Sequence, residues 1–106
     1  MWSEPTNERL ARVVKDKLYG QDGIPLSKQI VHAHFFISGC DWWVTEYNPE
    51  EDLAYGFTRL NLDDINSEWG YISIAELRQL RIGIVEVDFD RHWEKRPAGE
   101  IDAIKT

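Results

Sequence analysis

The sequence predicts an α+β fold: a single, mainly antiparallel sheet, a meander, with an N-terminal helix and a short second helix packed on it. Three observations carry this. The chain opens with SEPTNERLARVVKDKLYG, in which Leu10, Val13, Val14 and Leu18 recur at helical spacing among charges. Short runs rich in β-branched and aromatic residues then alternate with turn residues. Finally, Ser73-Ile74-Ala75-Glu76 has the capping-box form and directly precedes Leu77 and Leu80.

Taken in order, residues 4–18 are expected to be an amphipathic helix. Ser3 suits its N-cap, Pro5 its first turn and Gly20 its stop. QDGIPLS connects it to QIVHAHFFI at 29–37, a strand apolar on both faces and hence central in the sheet. Ser38 to Asp41 turn the chain into a second strand at 42–47, and Asn48-Pro49-Glu50-Glu51 turn it into a third at 53–60. The polar NLDDINSE leads to a short strand at 69–72, followed by the capped helix with Arg81 in its last turn. IVEVDFD at 84–90 alternates cleanly and forms a fifth strand. Pro97 and Gly99 mark a tail, 91–106, expected to fray.

At 106 residues the chain is expected to be one domain, 1–106. Cys40 is its one cysteine, so neither an intramolecular disulfide nor a cysteine-based zinc site can form within the chain. The N-terminus lacks the basic and apolar regions of a secretory signal, and no run approaches the ~20 apolar residues of a membrane span. A reducing cytoplasm is the expected compartment. The net charge of −7 is concentrated: residues 41–90 hold twelve Asp and Glu against Arg59, Arg78 and Arg81. Such a field repels phosphates, which argues against direct nucleic-acid binding and for a basic partner.

Several stretches resemble the bacterial domain-of-unknown-function family numbered 2958. They are IPLSKQIVHAHFF, DWWVTEYNPEEDLAYGF and SEWGYISIAEL, and the likeness runs over roughly residues 24–100. Family members tend to carry an I-P-L opening, a W-Y-x-T-E-Y-D-P-E hairpin, an aromatic-Gly pair and an E-L-G-Y-F-S-L-x-E-L segment. The chain departs from that pattern at Trp43, where tyrosine is usual, at Asn48, where aspartate is usual, and in its long N-terminal helix. The resemblance implies an accessory role on plasmids, phages and integrated elements, and it carries over no catalytic residue.

Candidate sites follow from charge and aromatic placement. In an extended strand Trp42, Val44 and Glu46 share one face, and Trp43, Thr45 and Tyr47 the other. The bland reading covers both tryptophans, with the 4–18 helix on one side and the tail on the other. The sharper reading makes Trp42, Glu46, Glu50, Glu51, Asp52, Asp63, Asp64, Glu68 and Trp69 a surface for a basic region of a larger protein. On a mobile element, such a protein would suit inhibition of a host nucleic-acid-targeting defence protein. The alternative is a small enzyme or ligand binder whose pocket uses Trp43, Tyr47, Tyr55 and Tyr71, with Glu46 as acid/base. Period two places Glu86, Asp88, Asp90 and His92 on one strand face, and His32 with His34 on another. A straight strand spreads such ligands ~6.6 Å apart, so a solvated face and satisfied histidines are expected, with no metal and no cofactor. Asp41 beside Cys40 disfavours a thiolate nucleophile. An acidic strand face with spare aromatics leaves a homodimer open.

Overall fold

The computed structural model describes residues 6–106, and Ser3 and Pro5 lie outside the described residues. Helix α1 spans Asn7–Val13 and is capped by Thr6, whose hydroxyl accepts from Arg9 N–H at 3.2 Å. It is shorter than the expected 4–18 because the chain leaves it at Val14 to join the sheet. The Asp16 carbonyl accepts from Tyr47 N–H at 2.9 Å, and the Asp16 carboxylate meets His32 Nε2 at 2.7 Å. Leu10 and Val14 still supply the buried stripe, while Leu18 is only half-buried.

The expected strand at 29–37 divides at His32 into β1, Ile30–Val31, and β2, Ala33–Ile37. Then come β3 (Cys40–Asn48), β4 (Leu53–Arg59) and β5 (Glu68–Ser73), each antiparallel to its predecessor, as the meander requires. Helix α2, Ile74–Gln79, starts under Ser73, whose hydroxyl accepts from Glu76 N–H at 3.2 Å. The alternating run at 84–90 does not form one strand. Gly83, at φ 64°, turns β6 (Arg81–Ile82) back onto β7 (Val85–Glu86) as a small hairpin. Only β8, Asp88–Phe89, reaches the main sheet, on the far side of β2, so Val87 is buried while Val85 is exposed. The five-stranded sheet runs β5-β4-β3-β2-β8.

The tail does not fray. Its β9, Arg96–Pro97, pairs with β1, and Ala98 and Ile104 are buried against the sheet. Trp93 Nε1 donates to the Val31 carbonyl at 2.9 Å, and Trp69 Nε1 to the Lys105 carbonyl at 2.7 Å. The sheet therefore has two covered faces. On one, α1 and α2 pack over Phe35, Trp42, Val44, Tyr47 and Ile72; on the other, the tail packs over Trp43 and Phe57. The paired tryptophans enter opposite cores, with 6% and 5% exposure for Trp42 and Trp43.

One irregularity resets the faces of β3. The register against β4 slips between Val44 and Glu46, so Thr45 is a bulged residue. Tyr47 consequently joins Trp42 and Val44, and Glu46 passes to the face of Trp43, the reverse of strict alternation. The bulge is satisfied internally: Thr45 Oγ1 donates to the Tyr55 carbonyl at 3.1 Å, and the Thr45 carbonyl accepts from Gln21 Nε2 at 2.9 Å. Opposite it, Gly56 lies so close to the Trp43 carbonyl that a Cβ there would overlap the oxygen.

This contact makes a testable contrast. Gly56→Ala should lower the unfolding free energy in urea by roughly 3 kcal/mol or more, since backbone must move to admit the methyl. Gly70→Ala, where nothing lies within 4 Å of the added Cβ, should stay within about 0.5 kcal/mol of the parent.

Candidate partner-binding surface

On the helix-bearing face, α2 and the β4–β5 loop leave an open groove of about 750 Å³. Its floor is the buried trio Trp42, Ile72 and Leu77; its walls are the exposed side chains Leu60, Leu80 and Ile82. Three carboxylates edge it, Asp63 from the loop, Glu68 from β5 and Glu76 from α2, and no Lys or Arg among the described residues lines it. Local chemistry fixes each. Asp63 accepts from the backbone N–H groups of Ile65 and Asn66, and from Asn66 Nδ2 at 2.7 Å, so the loop is held by an Asx-type turn. Those bonds from Asn66 hold the Asp63 carboxyl below its ordinary value. Glu76 is brought to the rim by the cap on Ser73, and Gly70 keeps the groove open because no side chain stands there.

The expected site residues do not form one patch. Trp42, Asp63 and Glu68 meet in the groove. Glu50 and Glu51 are exposed in the β3–β4 turn, at the opposite end of β4, which is seven residues long, so roughly 20 Å separates the two groups. Asp52, in that same turn at φ 53°, is structural. It accepts the Tyr47 O–H at 2.6 Å and pairs with Arg78, whose Nη2 donates to Asn7 Oδ1 at 2.7 Å. The hairpin, α1 and α2 are thus tied together, and burial, with Asp52 as acceptor, pushes the Tyr47 phenol far above its ordinary range. Asp64 is exposed but pairs with Arg59 at 3.3 Å, and Arg59 also holds Asp41 at 2.9 Å. The Asp41 bond raises the Arg59 guanidinium further still. Trp42 forms part of the core, so only its edge faces the groove, and Trp69 lies half-buried under the tail on the other face.

Glu46 is not a surface charge. It is 6% exposed, and its two carboxylate oxygens each accept a backbone N–H at 2.9 Å, from Tyr19 and from Gln21. It therefore pins the 19–21 segment to the sheet. The aromatic-pocket alternative is assembled only in part. Tyr55 and Tyr71 line a smaller cavity with Glu46, whereas Tyr47 is core on the opposite face and Trp43 is covered by the tail. Sequence reasoning missed Tyr19, whose hydroxyl meets that of Tyr71 at 2.6 Å and pushes the Tyr71 phenol up. It also missed Gln21, a buried side chain that bonds Ile30 and Thr45. Neither carries a local motif; the side chain of each bonds partners nine or more residues away in sequence.

His34 stacks on Trp43 with centroids 5.3 Å apart and lies between Asp41, at 2.8 Å, and Asp90, at 3.5 Å. His32 has Asp16 as its partner. Among the described residues no three of His, Cys, Asp and Glu form a cluster able to hold a metal ion. Cys40 is buried. No helix among the described residues is long and apolar enough to cross a membrane. In comparisons with known proteins, no family model, no curated protein and no solved structure matches the chain.

The division of the acidic residues has a measurable consequence. Asp52→Asn should cost about 2 kcal/mol of stability or more in urea unfolding, because the bonds to Tyr47 and Arg78 both lose their charge assistance and one of them loses its acceptor oxygen. The double variant Glu50→Lys/Glu51→Lys should remain within about 0.5 kcal/mol of the parent, since both side chains are solvated.

Proposed function

We propose that the protein is a small acidic interaction module whose groove between α2 and the β4–β5 loop takes a basic, amphipathic segment of a larger protein. The observation that supports this is the pairing of an apolar floor with an edge whose charged side chains, among the described residues, are all carboxylates: Asp63, Glu68 and Glu76. A helix or extended segment with apolar anchors on one side and Lys or Arg flanking them satisfies both features, and its charges speed encounter while its anchors slow release. Trp42, Leu77 and Leu80 then act as the receiving surface. The resemblance of the Trp42–Gly56 and Glu68–Leu77 stretches to family 2958 favours a partner met by a mobile element, and inhibition of a host nucleic-acid-targeting protein is the concrete form of that role. A basic groove evolved for phosphates is the kind of target an acidic protein occupies.

The test separates the groove from bulk acidity. Tagged parent, Glu68→Lys/Glu76→Lys and Glu50→Lys/Glu51→Lys are used to capture proteins from host lysate at low salt, with quantitative mass spectrometry. The association rate of each retained partner is then measured against salt. The groove variant should lose the partner or slow its association by roughly tenfold or more, and the parent rate should fall steeply with salt; the hairpin variant should behave as the parent. A partner that ignores the groove substitutions, or responds equally to both variants, contradicts the proposal.

A further inference from the structure

We propose that the cavity under Tyr19, Tyr55 and Tyr71 is a binding site for a quaternary alkylammonium group. The cavity has a volume of about 330 Å³, within the lower range of small-ligand pockets, and is distinct in chemistry from the groove. Three tyrosines, Tyr19, Tyr55 and Tyr71, line it. Tyr55 and Tyr71 stand nearly perpendicular, at 79° with centroids 5.5 Å apart, so together they offer a corner of π-surface. Tyr19 closes the corner through the 2.6 Å hydroxyl contact with Tyr71.

The charge of the cavity has one sign. Glu46 forms part of its lining and Asp22 stands at its exposed margin, with no Lys or Arg among the described lining residues. Each Glu46 oxygen is already held by a backbone N–H, so the carboxylate is fixed in place as a source of negative field and is poorly placed to move protons. That separates this reading from an acid/base site. A hydrated metal ion would seek free carboxylate oxygens; a weakly hydrated cation with methyl groups needs ring faces and a nearby negative charge, which is what the cavity supplies. Tyr19 is also held at φ 68°, an unusual conformation for a bulky residue, by the bond from its N–H to Glu46 and by the hydroxyl contact with Tyr71. Leu26 and Leu18 add apolar contact for the chain that carries the cation.

Trimethylated lysine and choline present the same head, and the experiment distinguishes them. Chemical-shift titrations of the full chain use three probes: choline, an acetylated and amidated trimethyllysine, and neohexanol, the neutral isostere of choline. At least one ammonium probe should shift the resonances of Tyr19, Tyr55 and Tyr71 saturably by about 10 mM, as a Kd near 1 mM requires. Neohexanol should bind at least roughly tenfold more weakly. Choline alone would identify a small molecule or headgroup as the source, and trimethyllysine alone a modified protein tail. Tyr71 is 56% exposed, so its replacement leaves the core intact: Tyr71→Phe, which keeps the ring but loses the hydroxyl contact with Tyr19, should weaken binding, and Tyr71→Leu should abolish it. Absence of saturable shifts with both ammonium probes, equal binding of neohexanol, or retained binding in Tyr71→Leu overturns the proposal.

Discussion

Everything in this structure depends on β3 being buried on both faces while carrying one bulged residue. A strand with adjacent tryptophans can be placed in water only if each side of the sheet is covered, and here helices cover one side and the irregular tail the other. The bulge at Thr45 then exchanges the next two side chains. Tyr47 goes to the helix side, where it reaches Asp52 and through it Arg78, and Glu46 goes to the other, where it captures the amides of Tyr19 and Gln21. Each consequence locks a different segment to the sheet.

The two proposed recognition features follow from that arrangement. Upstream of the bulge, Trp42 presents an edge to the floor of the groove, with α2 and the Asp63 turn as its banks. At and beyond the bulge, Glu46 and the segment it holds bring Tyr19 over Tyr55 and Tyr71. Both sites use negative charge, but differently. Around the groove it is solvated and, under the proposed function, would act over distance on a partner's approach; within the cavity it is nearly buried and would act over a few ångströms on the proposed cation.

Much of the fold was legible because it is written in local signals. Period-two placement put Trp42 and Trp43 on opposite faces, turn residues separated the strands of the meander, and Ser73 with Glu76 marked the start of α2. What local signals could not show was set by distant partners. The Thr45 bulge depends on Gln21 and Gly56, so strict alternation misplaced Glu46 and Tyr47. The run at 84–90 alternates well, yet a left-handed Gly83 favours a hairpin over one long strand. Pro97 and Gly99 suggested fraying, while the apolar residues between and beyond them, Ala98, Ile101 and Ile104, pack under Trp93 and Trp69. The acidic candidates divide between two places, because linear closeness around a hairpin and its following loop becomes separation along β4.

The most direct measurement of the central claim is amide hydrogen exchange in the parent and in Glu46→Ala. If the bulge delivers Glu46 to the face of Trp43, the Tyr19 and Gln21 amides should be protected in the parent and lose at least roughly tenfold of that protection in the variant. The amides of the β2–β3 ladder, from Phe35 to Trp43, should keep theirs. Unchanged exchange at Tyr19 and Gln21 would contradict the account, because Glu46 would then lie elsewhere and neither the pinned segment nor the tyrosine cavity would follow from β3.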